Sequence, residues 1–96
     1  MKKTAKQMFE ELGWKCEEYH EEYNKCIKYI TNAGNNEKES CIITEITFDL
    51  IDKTIRFFSF DSGEIFEYYE TYITPQVLKA INKQVEELGW GGKENE

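Results

Sequence analysis

The single histidine of the chain, His20, stands among glutamates: Glu17 and Glu18 precede it, and Glu21 and Glu22 follow. A histidine doing acid–base work needs an oriented partner, such as a carboxylate, within hydrogen-bond reach. Neighbours in sequence beside a turn read more simply as a solvated surface, so no catalytic residue is assigned and the chain is read as a non-enzyme. Cys16 and Cys26 could join His20 in a metal site if a hairpin brought them together. Against this, the cysteines (Cys16, Cys26 and Cys41) are odd in number and irregularly spaced, and no C-x-x-C occurs. Three reduced thiols, at least two of them partly buried, are the simpler expectation. Gly91-Gly92 follows a helical pattern rather than opening one, so no phosphate loop is present. No metal and no cofactor are expected.

Two surfaces are better candidates. Between residues 10 and 22 stand Glu10, Glu11, Glu17, Glu18, Glu21 and Glu22, with Lys15 as the one lysine among them. If the end of the first helix adjoins the first hairpin, these carboxylates form one negative ridge. Proteins that imitate DNA meet nucleic-acid-binding proteins with such a ridge; a solvated face is the alternative. The second surface is the outer face of the expected sheet, where Ile43, Phe58, Phe60, Ile65 and Tyr69 lie beside Glu45, Arg56 and Glu67. An apolar patch with a charged rim marks an interface, a homodimer included. Otherwise such aromatics are tolerated singly, or are covered by a loop or the tail.

The elements that must position these residues fit one α+β domain spanning 1–96. The 96 residues are 40% hydrophobic and 15% aromatic, enough for a modest core. Nineteen acidic against twelve basic residues give a formal charge of −7, which repels nucleic acid and anionic lipid and favours a basic partner, or solubility alone. The opening MKKTAKQMFEELG turns acidic before any long apolar run, and no stretch approaches the roughly 20 apolar residues of a membrane span. A reducing cytoplasm is the expected setting.

Thr4 to Leu12 reads as a short helix, with Thr4 and Gln7 as a capping box and Ala5, Met8, Phe9 and Leu12 as its apolar stripe. Gly13 stops it, and Trp14 folds back on Phe9. Trp14 to Thr31 reads as a hairpin turning near Glu21–Glu22, at a sheet edge; Asn32 to Ser40 reads as a loop. The strand Cys41–Leu50 is the centre. A turn at Asp52-Lys53 sets Leu50 opposite Ile55, Phe48 opposite Phe57 and Asp49 opposite Arg56. A turn at Ser62-Gly63 sets Phe57 opposite Tyr68 and Ser59 opposite Phe66. The buried face is then Ile42, Ile46, Phe48, Leu50, Ile55, Phe57, Phe66 and Tyr68. Thr74 caps a last helix with Pro75 in its first turn and Leu78, Ile81, Val85 and Leu88 facing inward. Gly89 stops it, Trp90 folds back on Val85, and a polar tail occupies residues 91–96. The expected architecture is a short N-terminal helix, an antiparallel meander of four or five strands, and a C-terminal helix, both helices on one face.

TAKQMFEELGW at the start and ITPQVLKAINKQVEELGW at the end resemble a group of small proteins encoded by phages and mobile elements of Gram-positive bacteria. The resemblance covers the two ends; between them only the general pattern of ITFDLIDKTI matches. It implies a setting, an accessory gene acting in the cytoplasm of a bacterial host, and no catalytic residues. The expected function is non-enzymatic binding that inhibits or modulates a host protein, with a defence nuclease or another basic nucleic-acid-handling factor as the class of partner. The alternative is an oligomeric small-molecule binder that sequesters a nucleotide signal. An anionic ligand would require Arg56, Lys25 or Lys28 to line its site.

Overall fold

The computed structural model describes residues 2–31, 42–61, 64–68, 71 and 73–90, with the backbone alone at 42, 61 and 64–68. The expected loop Asn32–Ser40, Cys41, the turn Ser62-Gly63, Tyr69, the polar tail, and the side chains of Ile42, Ile65, Phe66, Glu67 and Tyr68 lie outside the described residues. The elements run α1 (Ala5–Glu11), β1 (Lys15–Glu21), β2 (Asn24–Thr31), β3 (Ile42–Asp49), β4 (Thr54–Asp61), β5 (Glu64–Tyr68) and α2 (Pro75–Leu88). The strands form one antiparallel sheet in chain order, and both helices pack on its inner face.

Each helix is closed by short-range chemistry. Thr4 Oγ1 accepts the Gln7 N–H at 3.1 Å and Gln7 Oε1 accepts the Thr4 N–H at 2.9 Å, which satisfies two donors that a helix start leaves open. Gly13 takes a φ of 96°, and the Trp14 N–H then reaches Phe9 O at 3.0 Å. The indole meets Phe9 edge-on, with ring centroids 5.7 Å apart. A seven-residue helix does not persist alone. It is held by Phe9, fully buried, and by Glu87 of α2, whose carboxylate accepts the Ala5 N–H at 2.9 Å. In α2, Thr74 Oγ1 accepts the Val77 N–H at 3.1 Å, Pro75 occupies the first turn, and Gly89 ends the helix at φ 74°.

Two stripe residues were misplaced by periodicity. Leu12 is 40% exposed, because α1 ends at Glu11 and Leu12 already belongs to the cap. Leu78 is 50% exposed: the buried line of α2 is Val77, Ala80, Ile81 and Gln84, with Val85 and Leu88 packed at its margin. Both lines have helical spacing, and the buried one contains a polar residue that conceals it. Gln84 is buried because the Tyr29 hydroxyl donates to its Oε1.

Across β3 and β4 the sheet keeps the expected faces and changes the register; between β4 and β5 the shift is odd, so the expected alignment of Tyr68 with the inner-face Phe57 is not kept. The first hairpin pairs Glu21 with Asn24, so its connection is Glu22–Tyr23, one residue beyond the expected position, and β1 is at the edge as expected. Phe48 pairs with Ile55 and Ile46 with Phe57, a shift of two residues from the expected alignment. The shift arises where the chain leaves β3. Asp49 Oδ1 accepts the N–H groups of Ile51 and Asp52 at 2.9 and 3.0 Å, and Lys53 adopts φ 59°. Four turn residues, Leu50 to Lys53, therefore replace the expected two. An even shift preserves which face each side chain takes. Asp49 and Arg56 still meet, diagonally, with Arg56 Nη1 donating to Asp49 Oδ2 at 3.2 Å. Between β4 and β5 the ladder breaks step: Asp61 pairs with Glu64, but Tyr68 pairs with Phe60 rather than Phe57.

The core joins Phe9, Trp14, Tyr29, Ile46, Phe48, Val77, Ala80 and Ile81. Tyr29 stacks on Phe9 at 3.8 Å between centroids and meets Phe48 edge-on at 6.0 Å. Phe57 shares this face but is 45% exposed, which corrects its place in the expected core. The fully buried sheet residues Tyr29, Ile46 and Phe48 come from β2 and β3, and Phe57 on β4 lies at the margin of the helical cover. Leu50 is half-buried in the turn rather than on the strand. Among the described residues no helix is long and apolar enough to cross a membrane.

Candidate binding surface

The outer face is arranged in cross-strand rows. Residues paired across neighbouring strands project to the same side of a sheet. One row runs Glu17, Lys28, Thr47, Arg56 through β1 to β4; the next on one side is Tyr19, Cys26, Asp49, Thr54, and on the other Lys15, Ile30, Glu45, Phe58. Ile43 opposite Phe60 follows. Around the central row lies a groove of about 620 Å³, whose lining includes Tyr19, Asn24, Cys26, Lys28, Glu45, Thr47, Arg56 and Phe58.

The groove carries an aromatic side chain on either side of the central row, Tyr19 and Phe58, with charged side chains between and beside them. The Lys28 ammonium lies 5.5 Å from the centroid of Tyr19 and 3.9 Å from the Glu45 carboxylate, which is an ion pair without a short hydrogen bond. The Tyr19 hydroxyl donates to Glu17 at 2.7 Å, and this bond to a carboxylate is the main reason its phenol titrates above its ordinary value. Asp49 is held below the ordinary carboxylate value, chiefly by the Asp52 N–H, with further contributions from the Ile51 N–H and Arg56. Thr47 is buried in the floor, as is the Cys26 thiol, which lies 3.7 Å from Asn24 Oδ1. Phe58 is 48% exposed and meets Phe60 edge-on at 6.1 Å.

The expected surfaces can now be placed. Ile43, Phe58 and Phe60 do share the outer face, and Ile43 and Phe60 are direct partners; Tyr69 and the side chain of Ile65 lie outside the described residues. The six glutamates gather around the β1 edge but divide between its two sides. Glu17 and Glu21 take the outer face, Glu18 the inner, and Glu22 the turn. Glu10 and Glu18 both act on the Cys16 thiol from the inner side, and Glu11 pairs with Lys3 at 2.7 Å. Strand alternation thus makes the carboxylates a rim on both sides of an edge rather than one flat ridge.

His20 and Glu18 meet at 3.0 Å as exposed neighbours on one side of β1. Cys16 faces the helices, where burial raises its thiol above the ordinary value, while Cys26 faces the groove. These two cysteines therefore do not converge with His20, and no cluster of three or more metal-ligating side chains occurs among the described residues. Of the cations named as necessary for an anionic ligand, Lys28 and Arg56 line the groove; Lys25, paired with His20, lies on the other face. The roles of Tyr19, Cys26, Asn24 and Thr47 were not visible in the sequence. They require the β2–β3 register, which the intervening 32–41 segment leaves open.

Comparison with protein-family models, curated proteins and solved structures returned no match.

Proposed function

We propose that this chain is a non-enzymatic binding protein, encoded by a phage or mobile element, that inhibits or modulates a host protein in the bacterial cytoplasm through the outer face of its sheet. The observation that supports this reading is the outer aromatic strip: Phe58, half exposed, stands beside Phe60 and Ile43 with charged residues on its flank. A partly apolar surface rimmed by charge suits a protein interface. The glutamates around the β1 edge extend that rim, and a chain of net charge −7 selects a partner with a basic surface, such as a nucleic-acid-handling or defence factor.

The test compares two sets of changes. Phe58→Ser with Phe60→Ser should abolish retention of a host protein that the unchanged chain captures, while the chain's melting temperature falls by only a few degrees. Changing Glu17, Glu18, Glu21 and Glu22 to Gln should weaken capture and flatten its salt dependence, since exposed charges are screened within roughly 8–10 Å at physiological ionic strength. Capture unaffected by either set would reject the outer face and its rim as the interface. Self-association measured with the same variants distinguishes a homodimer from a host complex.

A further inference from the structure

We propose that the groove on the outer face is a site for a small anion carrying a planar ring, the chemistry of a nucleoside monophosphate or an aromatic acid. This goes beyond the host-protein reading and does not depend on it.

Charge points to an anion. The chain as a whole has nineteen acidic and twelve basic residues, yet the side chains lining this groove include two cations, Lys28 and Arg56, and one carboxylate, Glu45. Two further carboxylates stand beside this lining, within the roughly 8–10 Å over which charges are felt, and each is already engaged: Glu17 accepts from the Tyr19 hydroxyl, and Asp49 from the Ile51 and Asp52 N–H groups and from Arg56. The two cations are the neighbours of Thr47 on either side in one cross-strand row. Strands lie about 4.8 Å apart, which puts the two backbones about 10 Å from each other. Two long, flexible cationic side chains over that span can converge on one phosphate or carboxylate above the floor. Thr47 stands between them in the row, and its hydroxyl is a group that can donate.

Neither cation is consumed by its present partner. The 3.9 Å separation of Lys28 from Glu45 is beyond hydrogen-bond length, and Asp49 engages Arg56 at one nitrogen, Nη1, of a group with five N–H donors. An aromatic side chain on each side of the central row accounts for the ring. Tyr19 and Phe58 line the same groove, and a planar ring stacks on either without regard to its substituents. A groove of about 620 Å³ is within the usual 300–1,000 Å³ range of small-molecule sites.

The experiment is an amide-NMR titration of the purified full chain with four probes: adenosine monophosphate, adenosine, inorganic phosphate and 4-hydroxybenzoate. Adenosine monophosphate or 4-hydroxybenzoate should shift the amides of Lys28, Thr47 and Arg56 and their row neighbours. Whichever of the two binds more tightly identifies the anion. Adenosine and phosphate, each lacking half of the recognised chemistry, should bind at least tenfold more weakly. Lys28→Gln and Arg56→Gln should each weaken the better probe about tenfold. Glu45→Gln should tighten it several-fold by removing the carboxylate and releasing Lys28, a gain that a purely structural role would not produce. All three positions lie on the outer face, and unchanged thermal midpoints would show the variants folded. No shift with any probe at millimolar concentration, shifts confined to the helices, or phosphate binding as tightly as the ring-bearing probes would overturn the proposal. So would an affinity indifferent to all three substitutions. Because no host protein is present, failure here leaves the capture experiment to be judged separately.

Discussion

Tyr29 and Tyr19 project from the two faces of the same hairpin, and their surroundings differ in kind. Tyr29 lies between Phe9 and Phe48, and its hydroxyl meets a neutral partner, Gln84, that is itself buried. Tyr19 lies under the Lys28 ammonium, and its hydroxyl meets the carboxylate of Glu17. Both phenols titrate above the ordinary value: Tyr29 well above, mainly because burial disfavours its anion, and Tyr19 mainly because of its bond to Glu17. The inner face admits polar atoms only when they are neutral and paired. The outer face combines the same aromatic residue with full charges in reach of water. That contrast is why stability belongs to one side and recognition is sought on the other.

The widest separation between the faces should appear on truncating a phenylalanine. Phe48→Ala should lower stability by about 3–5 kcal/mol, since Phe48 is fully buried, whereas Phe58→Ala should cost less than about 1 kcal/mol. Urea midpoints measure both, and equal displacements would erase the distinction.

A smaller difference is expected between the two tyrosines. Tyr29→Phe leaves buried Gln84 without its donor and should cost about 1–3 kcal/mol, while Tyr19→Phe, at the outer face, should leave the midpoint nearly unchanged. The alkaline limb sharpens this comparison. A phenol whose folded value is raised stays protonated after the unfolded chain has ionised, so stability falls as pH rises above the ordinary value of 10.0. Tyr29→Phe should flatten that fall more than Tyr19→Phe does.

The smallest effect belongs to the turn beside the groove. Asp49 is held below its ordinary value of 3.8, so its contribution is fully present above that pH and is lost as pH falls through the lower, folded value. Asp49→Asn should reduce stability modestly at neutral pH and make the acid limb shallower. An unchanged acid limb would mean that the turn does not depend on the charge.

Much of this division was legible in local sequence. Thr4 with Gln7, Gly13, Thr74 with Pro75, and Gly89 act over three or four residues, and each does in the fold what its chemistry dictates. The repeated Glu-Glu-Leu-Gly-Trp stop closes both helices in the same way: Trp14 N–H bonds Phe9 O, and Trp90 N–H bonds Val85 O. Strand alternation likewise sent Ile46 and Phe48 to the core and Phe58 and Phe60 outward, because a side chain's face depends only on parity along the strand. The Asp49–Arg56 pair was foreseen for a related reason, since it survives a register shift of two as a diagonal contact.

Where the outcome depended on how elements meet, tertiary structure decided. Whether Val77 or Leu78 faces inward is a rotation of α2 set by Tyr29, which needs Gln84 beside it. Phe57 has the right parity for the core, yet its burial depends on how far the helices extend over β4. The groove is the clearest case. Lys28 and Thr47 are separated in sequence by the 32–41 segment, whose length leaves their alignment undetermined; pairing of β2 with β3 sets it. The chain by itself determined helix ends and strand faces, because those arise from contacts a few residues apart. Only the packed sheet could determine which cations, rings and hydroxyl share one row, because that is a matter of register between distant segments.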